Sequence, residues 1–185
     1  MKTRKIVLKA FLGLALVFGV NTFAQKSVMV GGAAMLPSKN IIENAVNSKD
    51  HTTLVAAVKA AELVETLSSK GPFTVFAPTN AAFDKLPKGT VETLLKPENK
   101  AMLQGVLTYH VLAGKFDSKA IAAAITAGNG TATFPTVQGG KLKASMVGKK
   151  LVLTDEKGGK STVTIADVNQ SNGVIHVVDA VVMHK

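Results

Sequence analysis

The stretch that most constrains this chain is Phe73–Phe83, FTVFAPTNAAF. In Phe73–Ala77 an extended backbone sends Phe73, Val75 and Ala77 to one face and Thr74 and Phe76 to the other. Both faces are mostly apolar, which predicts a central strand covered on both sides. Pro78 has no N–H to donate and ends the ladder. Thr79 or Asn80 then offers a side-chain oxygen to the open amides of the Ala-rich helix that follows, so these two residues read as cap and corner more than as a ligand loop.

A second stretch, Asn172–Val182 (NGVIHVVDAVV), opens on Asn172-Gly173, turn chemistry that favours a tight type I′ hairpin. It continues as a predicted strand over Val174–Met183. His176 shares a face there with Val174, Val178, Ala180 and Val182, while Asp179 lies with Ile175, Val177 and Val181. The two polar residues therefore face apart and form no catalytic dyad; each reads as hydrogen-bonded within the sheet. Between these stretches, Tyr109-His110 in LTYHVL marks a helix-to-strand junction. Tyr109 is the only tyrosine and tryptophan is absent, which weakens the case for the usual sugar-stacking platform and leaves Phe116 or Phe134 to replace it.

Helical spacing dominates the first half. Ile41, Ile42, Ala45 and Val46 predict a short helix, and Leu54, Val58, Ala61, Val64 and Leu67 fall on one stripe of a longer one, capped by Asp50 or Thr52 and ended by Gly71-Pro72. Short helices are expected across Thr79–Val106, and another over Ser118–Ala127 capped by Ser118. From Thr131 the period turns strand-like, with candidates at Thr131–Val137, Leu142–Val147, Leu151–Thr154 and Thr162–Val168; Phe73–Ala77 and Tyr109–Leu112 add two more. Helices early and strands late give an α+β fold, not a βαβ repeat.

The N-terminus has the organisation of a secretory signal over residues 1–24. Lys2, Arg4 and Lys5 precede the apolar run Ile6–Val20, and Thr22-Phe23-Ala24 supplies the small residues of a cleavage site. The run is shorter than the roughly 20 residues that span a bilayer, so cleavage near Ala24 is expected, with release to the periplasm or the exterior. Residues 25–37 read as an extended leader and 38–185 as one domain with a free C-terminus. Four of the 22 lysines and arginines lie in the signal, leaving 18 against 12 acidic residues and a net charge near +6. Cysteine is absent, which excludes disulfides, thiolate metal sites, lipoprotein acylation and a cysteine nucleophile.

The remaining motifs exclude more chemistry than they suggest. His51, His110, His176 and His184 lack metal-ligand spacing, and His51 reads as part of a helix cap. There is no G-x-S-x-G elbow and no phosphate-binding glycine loop, so no catalytic residue, cofactor, metal or nucleic-acid partner is expected. Lys141 and Lys143 alternate with Leu142 and Ala144 on the solvent face of a strand, with Lys149-Lys150 in the next turn. These four lysines are candidates for binding a polyanionic glycan or a lipopolysaccharide head group.

FTVFAPTNAAF, LTYHVLAGK and NGVIHVVDAVV, with the opening helix DHTTLVAAVKAAELVETL, resemble the fasciclin (FAS1) domain family in its small, secreted, single-domain bacterial form. The resemblance covers roughly Ser38–Lys185. It implies a wedge-shaped β-sandwich of about seven strands with surrounding helices. It makes Thr74, Pro78, Thr79, Asn80, Asn172, Gly173, His176 and Asp179 the structural motif, and Tyr109 and His110 the candidate adhesion site. By resemblance the protein is a non-enzymatic, secreted module for cell-surface or matrix adhesion through protein or glycan contacts. The alternative is an envelope protein that binds a small molecule or lipid in a cleft beside the apolar strands. A hydrolase using His110 or His176 is the weakest reading, because no nucleophile can be placed beside either.

Overall fold

The computed structural model describes residues 27–185; the expected signal segment lies outside them. β3 (Phe73–Pro78) is the axis of the sheet. It pairs in parallel with β9 (Gly173–Val178), from Phe73 opposite Gly173 to Pro78 opposite Val178, and antiparallel with the short β4 (Val111–Ala113). Antiparallel pairings continue from β9 through β8 (Lys160–Gln170), β7 (Lys150–Thr154) and β6 (Lys141–Val147) to β5 (Thr131–Pro135), giving the order β4-β3-β9-β8-β7-β6-β5. β8 is bulged between Val163 and Val168, where Asp167 takes φ 59°. One end of β8 pairs with β7 and the other with β9, so the bend turns the sheet over on itself. The two edges nearly meet, with the Val137 amide donating to the Val111 carbonyl at 2.8 Å.

The alternation in FTVFA divides the strand between two cores. Phe76, Leu112, Phe134, Leu142, Leu153 and Val178 fill the inside of the folded sheet, closed by Ile121 and Ile125 of α7 (Ser118–Ala127). Val75, Ala77, Ile175 and Val177 project the other way, into a second core roofed by α1 (Ile41–Ala45), α2 (Thr52–Ala60), α3 (Val64–Ser68) and α6 (Lys100–Tyr109). Burying each large side chain of this kind contributes about 1.5–3 kcal/mol, so β3 is held from both sides. Two single-turn helices, α4 (Asn80–Asp84) and α5 (Thr90–Leu94), complete the fold.

Several sequence expectations are corrected. Residues 25–37 are not merely an extended leader: β1 (Val28–Val30) and β2 (Ala33–Met35) form a hairpin, and Val30 and Met35 join the helical-side core. Gly31 and Gly32, at φ 58° and 76°, make its turn. The long stripe from Leu54 to Leu67 belongs to two helices. Glu62 adopts φ 57°, the Leu63 amide reaches back to the Val58 carbonyl and the Glu62 amide to that of Lys59, a Schellman ending with glutamate where glycine is usual. Tyr109 ends α6 instead of starting a strand. Asp117, not Ser118, caps α7, through a 2.7 Å bond from the Ala120 amide.

The last two corrections concern NGVIHVVDAVV. β9 stops at Val178, not Met183, because side chains take over from the ladder: Asp179 Oδ1 accepts the Thr162 amide at 2.7 Å and Ser161 Oγ donates to the Ala180 carbonyl at 2.7 Å. The hairpin turn is Ser171-Asn172, and neither it nor Gly173 has positive φ, so the type I′ expectation fails. Asn172 is there for its side chain, and Gly173 for space, since a Cβ on it would run into the Phe73 backbone.

Candidate functional site

The family motif residues are built into the frame. Thr74 is fully buried; its hydroxyl donates to the Gly114 carbonyl at 2.7 Å and accepts the Phe116 amide at 2.8 Å, fixing the turn after β4. Pro78 closes the β3–β9 ladder, and Thr79 Oγ1 accepts the Ala82 amide at 3.2 Å to cap α4. Asn80 does something the sequence did not suggest. Its Oδ1 accepts the Thr53 amide at 3.0 Å, so it caps α2, taking the place expected for Asp50 or Thr52, while its Nδ2 donates to the Lys49 carbonyl at 2.9 Å. Asn172 Oδ1 accepts the Ile41 amide at 3.0 Å, and its Nδ2 donates to the Leu67 and Ser69 carbonyls, both at 2.8 Å. One side chain thus joins α1 and α3 to the β8–β9 turn.

His176 and Asp179 are not brought together. His176 stacks on Phe76, donates from Nε2 to the Phe116 carbonyl at 2.9 Å and accepts the Asp167 amide at Nδ1, 3.3 Å away. Asp179 lies beyond the strand end, 3.7 Å from Lys85 Nζ. Burial holds the His176 ring below its ordinary pKa, against a smaller opposing pull from the Phe116 carbonyl and from Asp167 and Asp117.

Tyr109 and His110, the candidate adhesion pair by resemblance, are 0% and 3% exposed. This corrects their reading as direct contact residues. The Tyr109 hydroxyl donates to the Lys141 carbonyl at 2.7 Å and accepts the Glu156 amide at 3.3 Å; burial pushes its pKa up to about 12. His110 donates from Nδ1 to the Val106 carbonyl at 2.8 Å and accepts the Val182 amide at Nε2, 3.1 Å, which ties the irregular C-terminal segment to α6. Burial lowers its pKa to about 4, with smaller opposing contributions from the Val106 carbonyl and Asp155. Neither His110 nor His176 has a free ring nitrogen for acid–base chemistry.

The lysines divide. Lys141, Lys143, Lys149 and Lys150 are all exposed, as their alternation predicted. Only Lys149 and Lys150 join a groove of about 730 Å³ between α7 and β6–β8, where Lys119 of α7 adds a third ammonium. Met146, Leu151 and Val163 give it an apolar floor, and Ser118, Thr162 and Thr164 add hydroxyls. Asp179 is the one acidic lining residue, and it already faces Lys85 and the Thr162 amide. Lys141 and Lys143 stand farther along β6, and the Lys141 amide donates to the Glu156 carboxylate at 2.9 Å. Sequence reading missed Lys119, because nothing in a lone lysine of an Ala-rich helix tells that the helix lies across the sheet from Lys149.

It also missed the surroundings of His51. This residue sits at the N-terminal boundary of α2 without capping it, 3% exposed, with its Nδ1 2.9 Å from Ser48 Oγ. Among the described residues, no group of three or more His, Asp or Glu side chains is placed to hold a metal ion, and no helix is long and apolar enough to cross a membrane.

A seven-stranded sheet folded over one core and backed by helices on the other is the fold of the FAS1 domain pair from the insect cell adhesion molecule Fasciclin I. The two superpose with a TM-score of 0.71 at 17% identity, over 80% of this chain and 52% of that one. The Fasciclin domain model matches residues 49–184, and the chain belongs to that family. Among its relatives, protein sll1483 of Synechocystis is 46% identical over 196 residues, covering 99% of this chain and 98% of its own length. The immunogenic protein MPB70 of Mycobacterium bovis is 36% identical over 144 residues, covering 75% of this chain and 66% of its own.

Proposed function

We propose that this protein is a secreted, non-enzymatic binding module that attaches to a cell-surface or matrix partner by gripping an anionic glycan, or an acidic protein segment, in the groove beside α7. The observation that carries the reading is the meeting of Lys119, Lys149 and Lys150 over an apolar, hydroxyl-bearing floor. Three ammonium groups on one concavity raise the local concentration of anions, and a floor of this composition suits the apolar faces and hydroxyls of a sugar ring. Lys141 and Lys143 extend the positive strip along β6 without lining the groove. Membership of the Fasciclin family and the fold shared with a cell adhesion molecule support an adhesive role, and the N-terminal signal pattern supports export.

The non-enzymatic part rests on the histidines. His110 and His176 spend both ring nitrogens on backbone groups, and Ser48, the one serine hydrogen-bonded to a histidine side chain among the described residues, is itself buried. The test is an array of anionic and neutral glycans and matrix proteins probed with the chain downstream of Ala24. Selective retention on sulfated or carboxylated glycans, lost when Lys119, Lys149 and Lys150 become glutamine, is the expected result. Equal retention by that variant would overturn the reading.

A further inference from the structure

The helical-side core is not completely filled. Between the β1–β2 hairpin, α1, α2 and the face of β3 and β9 lies a cavity of about 50 Å³, walled by side chains such as Met35, Leu54, Val58, Val75 and Ile175. That is several times the roughly 10–15 Å³ a single water needs, and about a third of an apolar cavity that admits benzene. The exposed Lys59 and the half-buried Ile42 and Val55 also line it, which puts its opening between α1 and α2.

Two histidines reach this space, and they differ. His110 has both nitrogens committed to backbone partners. His51 has one: Nδ1 meets Ser48 Oγ, while Nε2 is fully buried with no hydrogen-bond partner, the single such side-chain atom among the described residues. The Ala77 backbone pulls His51 toward its charged form but does not reach Nε2 at hydrogen-bonding geometry. Burial outweighs that pull, as well as the pull of Asp50, and keeps the ring neutral. A buried polar atom left without a partner is rare in a folded protein and is a place where a ligand group is welcome.

We propose that the cavity is a binding site for an aliphatic molecule with one uncharged hydrogen-bonding end, a hydroxyl or a carbonyl. The polar end enters first and pairs with His51 Nε2, and the chain runs out between α1 and α2. A neutral imidazole among aliphatic side chains satisfies a hydroxyl or carbonyl but leaves a carboxylate desolvated without a counter-charge. Ser48 does not line the cavity, so the pair presents a hydrogen-bonding ring to the ligand and not a nucleophile. The site lies apart from the lysine groove, and neither proposal depends on the other.

The test uses the chain downstream of Ala24, labelled with nitrogen-15 and titrated with 1-octanol, 2-octanone and octanoate while the His51 ring nitrogens are followed by NMR. The alcohol and the ketone are expected to shift Nε2 saturably, with octanoate at least about tenfold weaker. Val55→Trp, which fills the opening but keeps His51 in place as the reporter, should abolish the shift at an unchanged melting temperature. His51→Phe, which has no ring nitrogen and is followed through the backbone amides of α2 instead, should weaken octanol by about five- to tenfold, the worth of one neutral hydrogen bond. The proposal is overturned if no saturable shift occurs, whether or not a bound water is found on Nε2. It is equally overturned if octanoate binds as tightly as octanol, or if Val55→Trp changes nothing.

Discussion

Replacing Asn172 separates two accounts of the most conspicuous turn in the sequence. If Asn172-Gly173 served as a type I′ turn, glycine in place of Asn172 would be tolerated within about 0.5 kcal/mol, since both residue types adopt positive φ readily. The structure gives a different job to the side chain: three hydrogen bonds to the Ile41 amide and the Leu67 and Ser69 carbonyls. Alanine or glycine removes all three. Ser69 is exposed and its carbonyl can be rehydrated, but Ile41 and Leu67 are buried. Two buried backbone groups left without partners cost about 1–3 kcal/mol each, so both variants should lose about 4 kcal/mol. Asn172→Asp keeps the acceptor for Ile41 but turns a carboxylate toward two carbonyls. Folding raises the pKa of that carboxyl, so this variant should regain stability as the pH falls and the group becomes a donor. Urea unfolding by linear extrapolation reads all three variants, with an unchanged m-value showing that the folded state is retained. A loss below about 1 kcal/mol for both alanine and glycine would refute the reasoning.

Acid should destabilise the protein through its buried histidines. The His110 ring stays neutral in the folded state down to about 4, whereas an unfolded histidine takes its proton at about 6.5. Between these values the unfolded chain holds the extra proton, so stability falls as pH falls, by about 1.4 kcal/mol per unit and about 3 kcal/mol in all. His51 and His176, also lowered by burial, act in the same direction. The urea midpoint at pH 7.5 and 4.5 measures this, and equal midpoints would show that the rings protonate without unfolding. Gly173→Ala should cost more than about 2 kcal/mol, because the new Cβ meets the Phe73 backbone across the parallel β3–β9 pair; wild-type thermal stability would contradict that contact. Asn80→Ala should cost about 1 kcal/mol by uncapping α2, seen as faster hydrogen exchange at the Thr53 amide, which donates to Asn80 Oδ1; unchanged exchange there would count against the cap.

The parts of the fold legible in the sequence were those written in local periodicity. The alternation in Phe73–Ala77 placed Phe76 in one core and Val75 and Ala77 in the other, and that of Lys141 to Ala144 placed the lysines outside. The expected sandwich of about seven strands, with helices mostly early, is the fold observed. What escaped reading depends on contacts distant in sequence or on single unusual backbone angles. Asn80 caps a helix that begins 28 residues before it, Glu62 breaks a continuous apolar stripe by adopting a conformation typical of glycine, and three-residue strands such as Val28–Val30 give too short a pattern to register. The site was least legible for the same reason. Tyr109 and His110 stand out as residue types, yet their polar atoms are spent on the interior. Lys119 and His51 stand out in no way until the chain is folded.

The central claim is that the signature residues build the frame while the groove lysines make the contact. Its most direct test is the affinity for heparin at low and at physiological salt. The wild type is compared with a Lys119→Gln, Lys149→Gln, Lys150→Gln variant and with a Lys141→Gln, Lys143→Gln variant. Exposed charge contacts are screened beyond roughly 8–10 Å at 0.1–0.15 M salt, so wild-type affinity should fall steeply as salt is raised. The groove variant should lose at least about tenfold at low salt, and the strand variant about twofold or less. Loss from the strand variant alone, or no loss from the groove variant, would contradict the account.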